Sequence, residues 1–150
     1  MGKLYIAYGS NLNLVQMAVR YPSATIFGTG QLNNWELLYR GRMGNAHATI
    51  ARKKGSYVPV LVWDIQPYDE KCLDLYEGYP QYYFKQDVIV NIGKQKRKAM
   101  VYIMNLQQKA ATPSAAYIRT IRQGYQDNSF DLKYLEYSLE TNAIECNRNL

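Results

Sequence analysis

The chain has only one histidine, His47, and two cysteines, Cys72 and Cys146, among its 150 residues. That scarcity excludes several chemistries. A His/Cys zinc centre needs a group of such ligands. A disulfide framework needs more cysteines, and neither of these lies in a Cys-x-x-Cys pair. A Ser-His-Asp triad would have to recruit His47. It sits in the strand-like run His47-Ala48-Thr49-Ile50-Ala51 with no Gly-x-Ser-x-Gly turn anywhere in the chain. His47 therefore reads as a structural or surface residue. Carboxylate and carbonyl oxygens could still hold a hard cation, but no EF-hand-like spacing supports one.

Long apolar runs are missing as well: nothing approaches the ~20 residues that span a bilayer. The opening Gly2-Lys3-Leu4-Tyr5-Ile6 reaches Gly9-Ser10-Asn11 too soon to hold a signal-peptide core. Ile6 stands where myristoylation would require Ser or Thr. A cytoplasmic protein with no membrane partner is expected. Acidic residues are in the minority, 12 against 18 basic, for a formal charge of +6. The basic residues gather in Arg52-Lys53-Lys54 and in Lys94-Gln95-Lys96-Arg97-Lys98, each beside an expected glycine turn at Gly55 or Gly93. Solvated turns account for such runs, so nucleic acid is not expected as a partner. A mildly basic protein would also draw small anionic substrates.

What the chain has in plenty is tyrosine, fifteen in all. Strand propensity and core filling explain many of them. An apolar ring with a polar tip also suits a pocket that must be both greasy and hydrogen-bonding.

Patterning predicts strands over 3–8, 24–32, 35–39, 47–52, 57–65, 84–92 and 99–104. The turns between them are expected at Asn33-Asn34, at Lys54-Gly55-Ser56 and in the basic run after Ile92. Leu14, Met17 and Ala18 recur at helical spacing up to Pro22. A second helix opens at Pro67, with Asp69 and Glu70 favouring its first turn, and stops at Gly78. A third begins after Thr112-Pro113-Ser114 and runs through Tyr117, Ile118, Ile121 and Tyr125. The last covers about 132–144. The expectation is one α+β domain over residues 1–150, with six or seven strands able to close into a small mixed β-barrel flanked by helices.

Two segments carry potential chemistry. In Tyr8-Gly9-Ser10-Asn11-Leu12 a strand passes through a tight turn into a helix start, leaving backbone N–H groups free for an anion. It has neither the lysine of a Walker loop nor the spacing of a dinucleotide fingerprint. In Leu73-Asp74-Leu75-Tyr76-Glu77-Gly78-Tyr79-Pro80, Glu77 occupies the last helical turn, where the macrodipole disfavours a negative charge. Tyr76, Tyr79, Tyr82 and Tyr83 flank it. Burial among them would raise its pKa towards the range of a general base.

Read together, these segments resemble the gamma-glutamylcyclotransferase family, whose relatives include plant avirulence-induced proteins. The similar pieces are Leu4 to Leu12, Tyr21 to Ala24, Ala48 to Ile50, Val58 to Trp63, Leu73-Asp74 with Glu77 to Pro80, and Pro113-Ser114 with Tyr117. They arrive in family order and cover most of the chain. The resemblance implies release of 5-oxoproline from a γ-glutamyl amino acid or γ-glutamyl amine, by attack of the α-amine on its own γ-carbonyl. Glu77 would be the general acid/base, and neither a metal nor an organic cofactor would be required. Gly9, Ser10, Asn11 and Leu12 would hold the α-carboxylate and amine end through backbone amides. Tyr8 and one of Tyr82 or Tyr83 would wall the pocket, and Tyr117 would close it. A non-enzymatic domain on the same scaffold, binding a carboxylated molecule or an anionic partner, is the alternative. Val60 replaces a glycine common in the family, which is expected to narrow or reshape the pocket. The stretch from Gly41 to Asn45 leaves little room for a substrate-gripping insertion.

Overall fold

The computed structural model describes residues 2–105 and 107–148. Five strands close into one barrel: β1 (Lys3–Ala7), β2 (Thr25–Arg40), β3 (His47–Ile65), β4 (Tyr83–Ile92) and β5 (Gln95–Met104), in the order β1-β3-β2-β4-β5. All neighbours pair antiparallel except β1 and β5, which run parallel through Tyr5 opposite Met100. The barrel is therefore mixed, as expected. Val58 to Trp63 of β3 and Ala99 to Met104 of β5 are buried without alternation. Strands covered on both faces read as continuous apolar runs, which is how these two appear in the sequence.

The strand count is a correction to the six or seven expected. Asn33-Asn34 and Lys54-Gly55-Ser56 are not hairpin turns. They face each other as a bulge in one long β2/β3 hairpin, whose ladder breaks at Asn33 opposite Tyr57 and resumes at Trp35 opposite Arg52. Asn34 and Gly55 take positive φ, 67° and 87°, and the Gly55 N–H donates to Asn34 Oδ1 at 3.0 Å. Turn and bulge call for the same left-handed residues, so four expected strands merge into two. The true hairpin tip spans residues 41–46. The second basic run also differs: the β4/β5 turn is short, and Gln95 to Lys98 already belong to β5 with exposed side chains.

Among the described residues four helices flank the barrel: α1 (Leu14–Arg20), α2 (Pro67–Glu77), α3 (Ala115–Asp127) and α4 (Leu132–Arg148). α4 extends four residues beyond its expected end. A short 3₁₀ turn, Ser10–Leu12, links β1 to α1. α2 starts with a capping box between Gln66 and Asp69 around Pro67, and Ser23 Oγ donates to Asp69 at 2.8 Å. α3 lies directly on the 3₁₀ turn. A Cβ at Gly124 would stand 2.6 Å from Leu12 Cβ and 2.8 Å from the Leu12 carbonyl carbon, so only glycine allows this approach.

Candidate active site

A cavity of about 210 Å³ opens between the 3₁₀ turn, the C-terminal end of α2, the start of β3 and α3. Glu77, Tyr8, Gly9, Ser10, Asn11, Tyr82, Tyr83 and Tyr117 all border it. Both Tyr82 and Tyr83 are present, where the sequence left a choice. Leu12 does not border the cavity: its side chain is wholly buried beneath α3, and its N–H is spent on the Gly9 carbonyl at 3.1 Å. Val60 is also absent from the lining. It is fully buried in the barrel opposite Gly30.

The turn is held from below. Gln16 Nε2 donates to the Ser10 carbonyl and to Asn11 Oδ1, both at 3.1 Å. Asn11 Nδ2 donates to Tyr5 Oη at 2.9 Å, and the Asn11 carbonyl accepts Trp63 Nε1 at 3.1 Å. The Asn11 side chain is thus committed to the fold. What the turn offers a ligand is its leading N–H groups, which have no earlier helical carbonyl to meet. A Cβ at Gly9 would lie 3.2 Å from Ala48 Cβ and 3.5 Å from Tyr117 Oη, so the turn sits flush against β3 and α3.

Glu77 is the last residue of α2, and the helix is pinned to the barrel one turn earlier. Asp74 accepts Tyr102 Oη at 2.6 Å and Lys85 Nζ at 3.1 Å, while Lys85 also reaches Glu70 at 2.8 Å. Leu73 beside them is fully buried. Leu-Asp-x-x-Glu is therefore a plug, an anchor and a presented carboxylate. Burial pushes the Glu77 carboxyl up from 4.5 to about 7, against a smaller downward pull from Arg20. The Arg20 guanidinium lies 4.3 Å over the Tyr76 ring. Among the described residues no hydrogen bond fixes the Glu77 carboxylate, which leaves it free to meet a ligand.

Sequence reasoning missed Tyr5, Tyr102 and His47 as lining residues. Tyr5 and Tyr8 differ by three positions, which strand alternation would put on opposite faces. β1 ends at Ala7, so Tyr8 already belongs to the turn and both rings border the cavity. His47 borders the cavity as well as packing within it. It is half-buried, edge-on to Tyr117 and Tyr82 at centroid distances of 5.1 and 6.3 Å, with Nδ1 buried and unpartnered. Burial lowers its pKa. Among the described residues no three His, Cys, Asp or Glu side chains gather as metal ligands, and no helix is long and apolar enough to cross a membrane.

The family model for gamma-glutamyl cyclotransferase, AIG2-like, matches residues 5–120. Gamma-glutamylcyclotransferase of Homo sapiens is 30% identical over 154 residues, covering 96% of this chain and 79% of the relative. The Bos taurus protein of the same name is 28% identical over 152 residues, with the same coverage. A solved gamma-glutamyl cyclotransferase superposes with a TM-score of 0.84 at 27% identity, covering 92% of this chain and 86% of its own. A yeast cyclotransferase described as specific to glutathione shares the fold, with a TM-score of 0.66 at 12% identity over 96% of each chain.

Proposed function

The chain belongs to the gamma-glutamyl cyclotransferase, AIG2-like family, and on that premise we propose that it releases 5-oxoproline from γ-glutamyl amides with Glu77 moving the protons. The observation that carries this reading is a free carboxylate with a pKa of about 7, facing a tyrosine-walled cavity beside a turn rich in N–H groups. A carboxyl poised near neutral pH accepts and returns a proton with little cost in either direction.

In this reading the leading N–H groups of the Gly9–Asn11 turn hold the α-carboxylate, and Glu77 faces the α-ammonium. Glu77 takes a proton, and the freed amine attacks the γ-carbonyl carbon. A C–N bond closes the five-membered ring as the C–N bond to the leaving amine breaks. The ammonium gives up two protons in all and the leaving nitrogen gains two, with Glu77 as the carrier, so nothing is oxidised or reduced. Ring closure is intramolecular, and well-oriented cases reach effective molarities of ~10⁵ M or more, so holding the chain in a folded pose supplies much of the rate. Tyr8, Tyr82, Tyr83 and Tyr117 exclude water around that pose.

The substrate is a γ-glutamyl amino acid or γ-glutamyl amine, the chain works as one domain, and its compartment is the cytoplasm. Incubation of the protein with a panel of γ-glutamyl amino acids, γ-glutamyl amines and glutathione tests this, with 5-oxoproline followed by mass spectrometry. Release from one class identifies the substrate. Silence across the whole panel contradicts the assignment.

A further inference from the structure

Seven tyrosines border the cavity, and their hydroxyl protons are not equivalent. Three are spent on the protein. Tyr8 donates to the Tyr102 carbonyl at 2.7 Å, Tyr83 donates to the Ala48 carbonyl at 2.7 Å, and Tyr102 donates to Asp74 at 2.6 Å. Tyr76 and Tyr82 are at least partly open to solvent. Tyr5 and Tyr117 behave differently, because each oxygen accepts from the protein and keeps its own proton.

For Tyr117 the direction is fixed by its partner, the Ala48 N–H at 2.9 Å, which can only donate. For Tyr5 it is fixed by a short chain of partners. The Ser10 carbonyl can only accept, so Gln16 turns its NH₂ that way. The same NH₂ meets Asn11 at 3.1 Å, so Asn11 turns its oxygen there and its own NH₂ to Tyr5 Oη. Tyr5 must accept, and its proton is left over. Burial, with Glu77 next in effect for Tyr5, raises both phenols far above their usual pKa, so both protons stay on.

We propose that Tyr5 and Tyr117 are the donor pair that receives the γ-carbonyl oxygen as it gains charge during ring closure, which deepens the function proposed above and rests on it. The α-carboxylate is the wrong ligand for these donors. In the reading above the N–H groups of the Gly9–Asn11 turn already take it, and the γ-carbonyl oxygen is the group still in need of donors. A carbonyl oxygen is neutral in the ground state and acquires charge only when Glu77 has taken up a proton. Donors placed where charge develops act on the transition state more than on the bound substrate.

The test takes Tyr5→Phe and Tyr117→Phe with the best substrate of the wild-type protein. Each variant is expected to lose roughly 10²–10³-fold in kcat, with KM within about threefold of wild type. A folded Tyr5→Phe protein with kcat near the wild-type value, or a change in KM alone, overturns the pairing while leaving the cyclotransferase reading intact. Absence of 5-oxoproline with the wild-type protein instead removes the reading on which the pairing rests. Tyr5→Phe deprives Asn11 of its acceptor and can fail to fold, so a wild-type crystal soaked with 5-oxoproline gives a second decision. The lactam oxygen within ~3.2 Å of both Oη atoms supports the pair. The same oxygen on the N–H groups of the 3₁₀ turn overturns it.

Discussion

Glu77→Gln should make the protein more stable at alkaline pH while abolishing its chemistry. The folded carboxyl has a pKa of about 7 against an ordinary 4.5, with burial as the cause. The folded state therefore binds the proton more tightly than the unfolded state. The resulting penalty is negligible below about pH 4, grows as pH rises through the unfolded pKa, and is complete above the folded one. Taken at full value, it is under about 1 kcal/mol at pH 5 and about 3 kcal/mol at pH 8. A neutral glutamine removes it. For a protein of this size the gain at pH 8 corresponds to roughly 6–12 °C in Tm. Costs of burying an amide are independent of pH, so they cancel when the offset between variant and wild type is compared at the two values. Thermal melts of both proteins at pH 5 and pH 8 read this directly. An offset in Tm that is the same at both pH values would refute the reasoning, because the carboxyl would then titrate as it does in the unfolded chain.

Three further outcomes follow from the same geometry. The acid limb of kcat/KM should titrate with an apparent pKa near 7, since Glu77 must be ionised to accept the proton; a limb below about pH 5 would contradict this. Gly124→Ala forces a Cβ to 2.6 Å from Leu12 and should cost about 1–3 kcal/mol in a denaturant melt, with activity falling as the turn is displaced; unchanged stability would mean that α3 can shift freely. Asp74→Asn weakens the anchor to Tyr102 and Lys85 and should lower kcat/KM by roughly tenfold through misplacement of Glu77. Its melting point should move little, because the ion pair is partly solvated, and unaltered kinetics would show that α2 is held by other contacts.

The parts of the site that were legible in the sequence are those governed by local rules. A glutamate before a helix-stopping glycine and a turn heading a helix are readable within a few residues, and Glu77 and Gly9–Asn11 do border one cavity. The barrel was legible as a class of structure but miscounted, because Asn34 and Gly55 carry the same backbone signal in a bulge as in a turn. Tyr5 and Tyr102 depend on the β1/β5 pairing, in which Tyr5 stands opposite Met100, far along the chain. No spacing rule reaches that far. The commitment of Asn11 to Tyr5 and Gln16 is likewise a product of packing, and its residue type alone suggested a ligand contact.

The most direct test of the central claim compares 5-oxoproline release by wild-type protein and by Glu77→Gln on the same γ-glutamyl substrate, with folding of the variant verified by its melt. The account predicts release by the wild type and a loss of at least ~10²-fold in the variant. A folded Glu77→Gln protein that releases 5-oxoproline at the wild-type rate would contradict it.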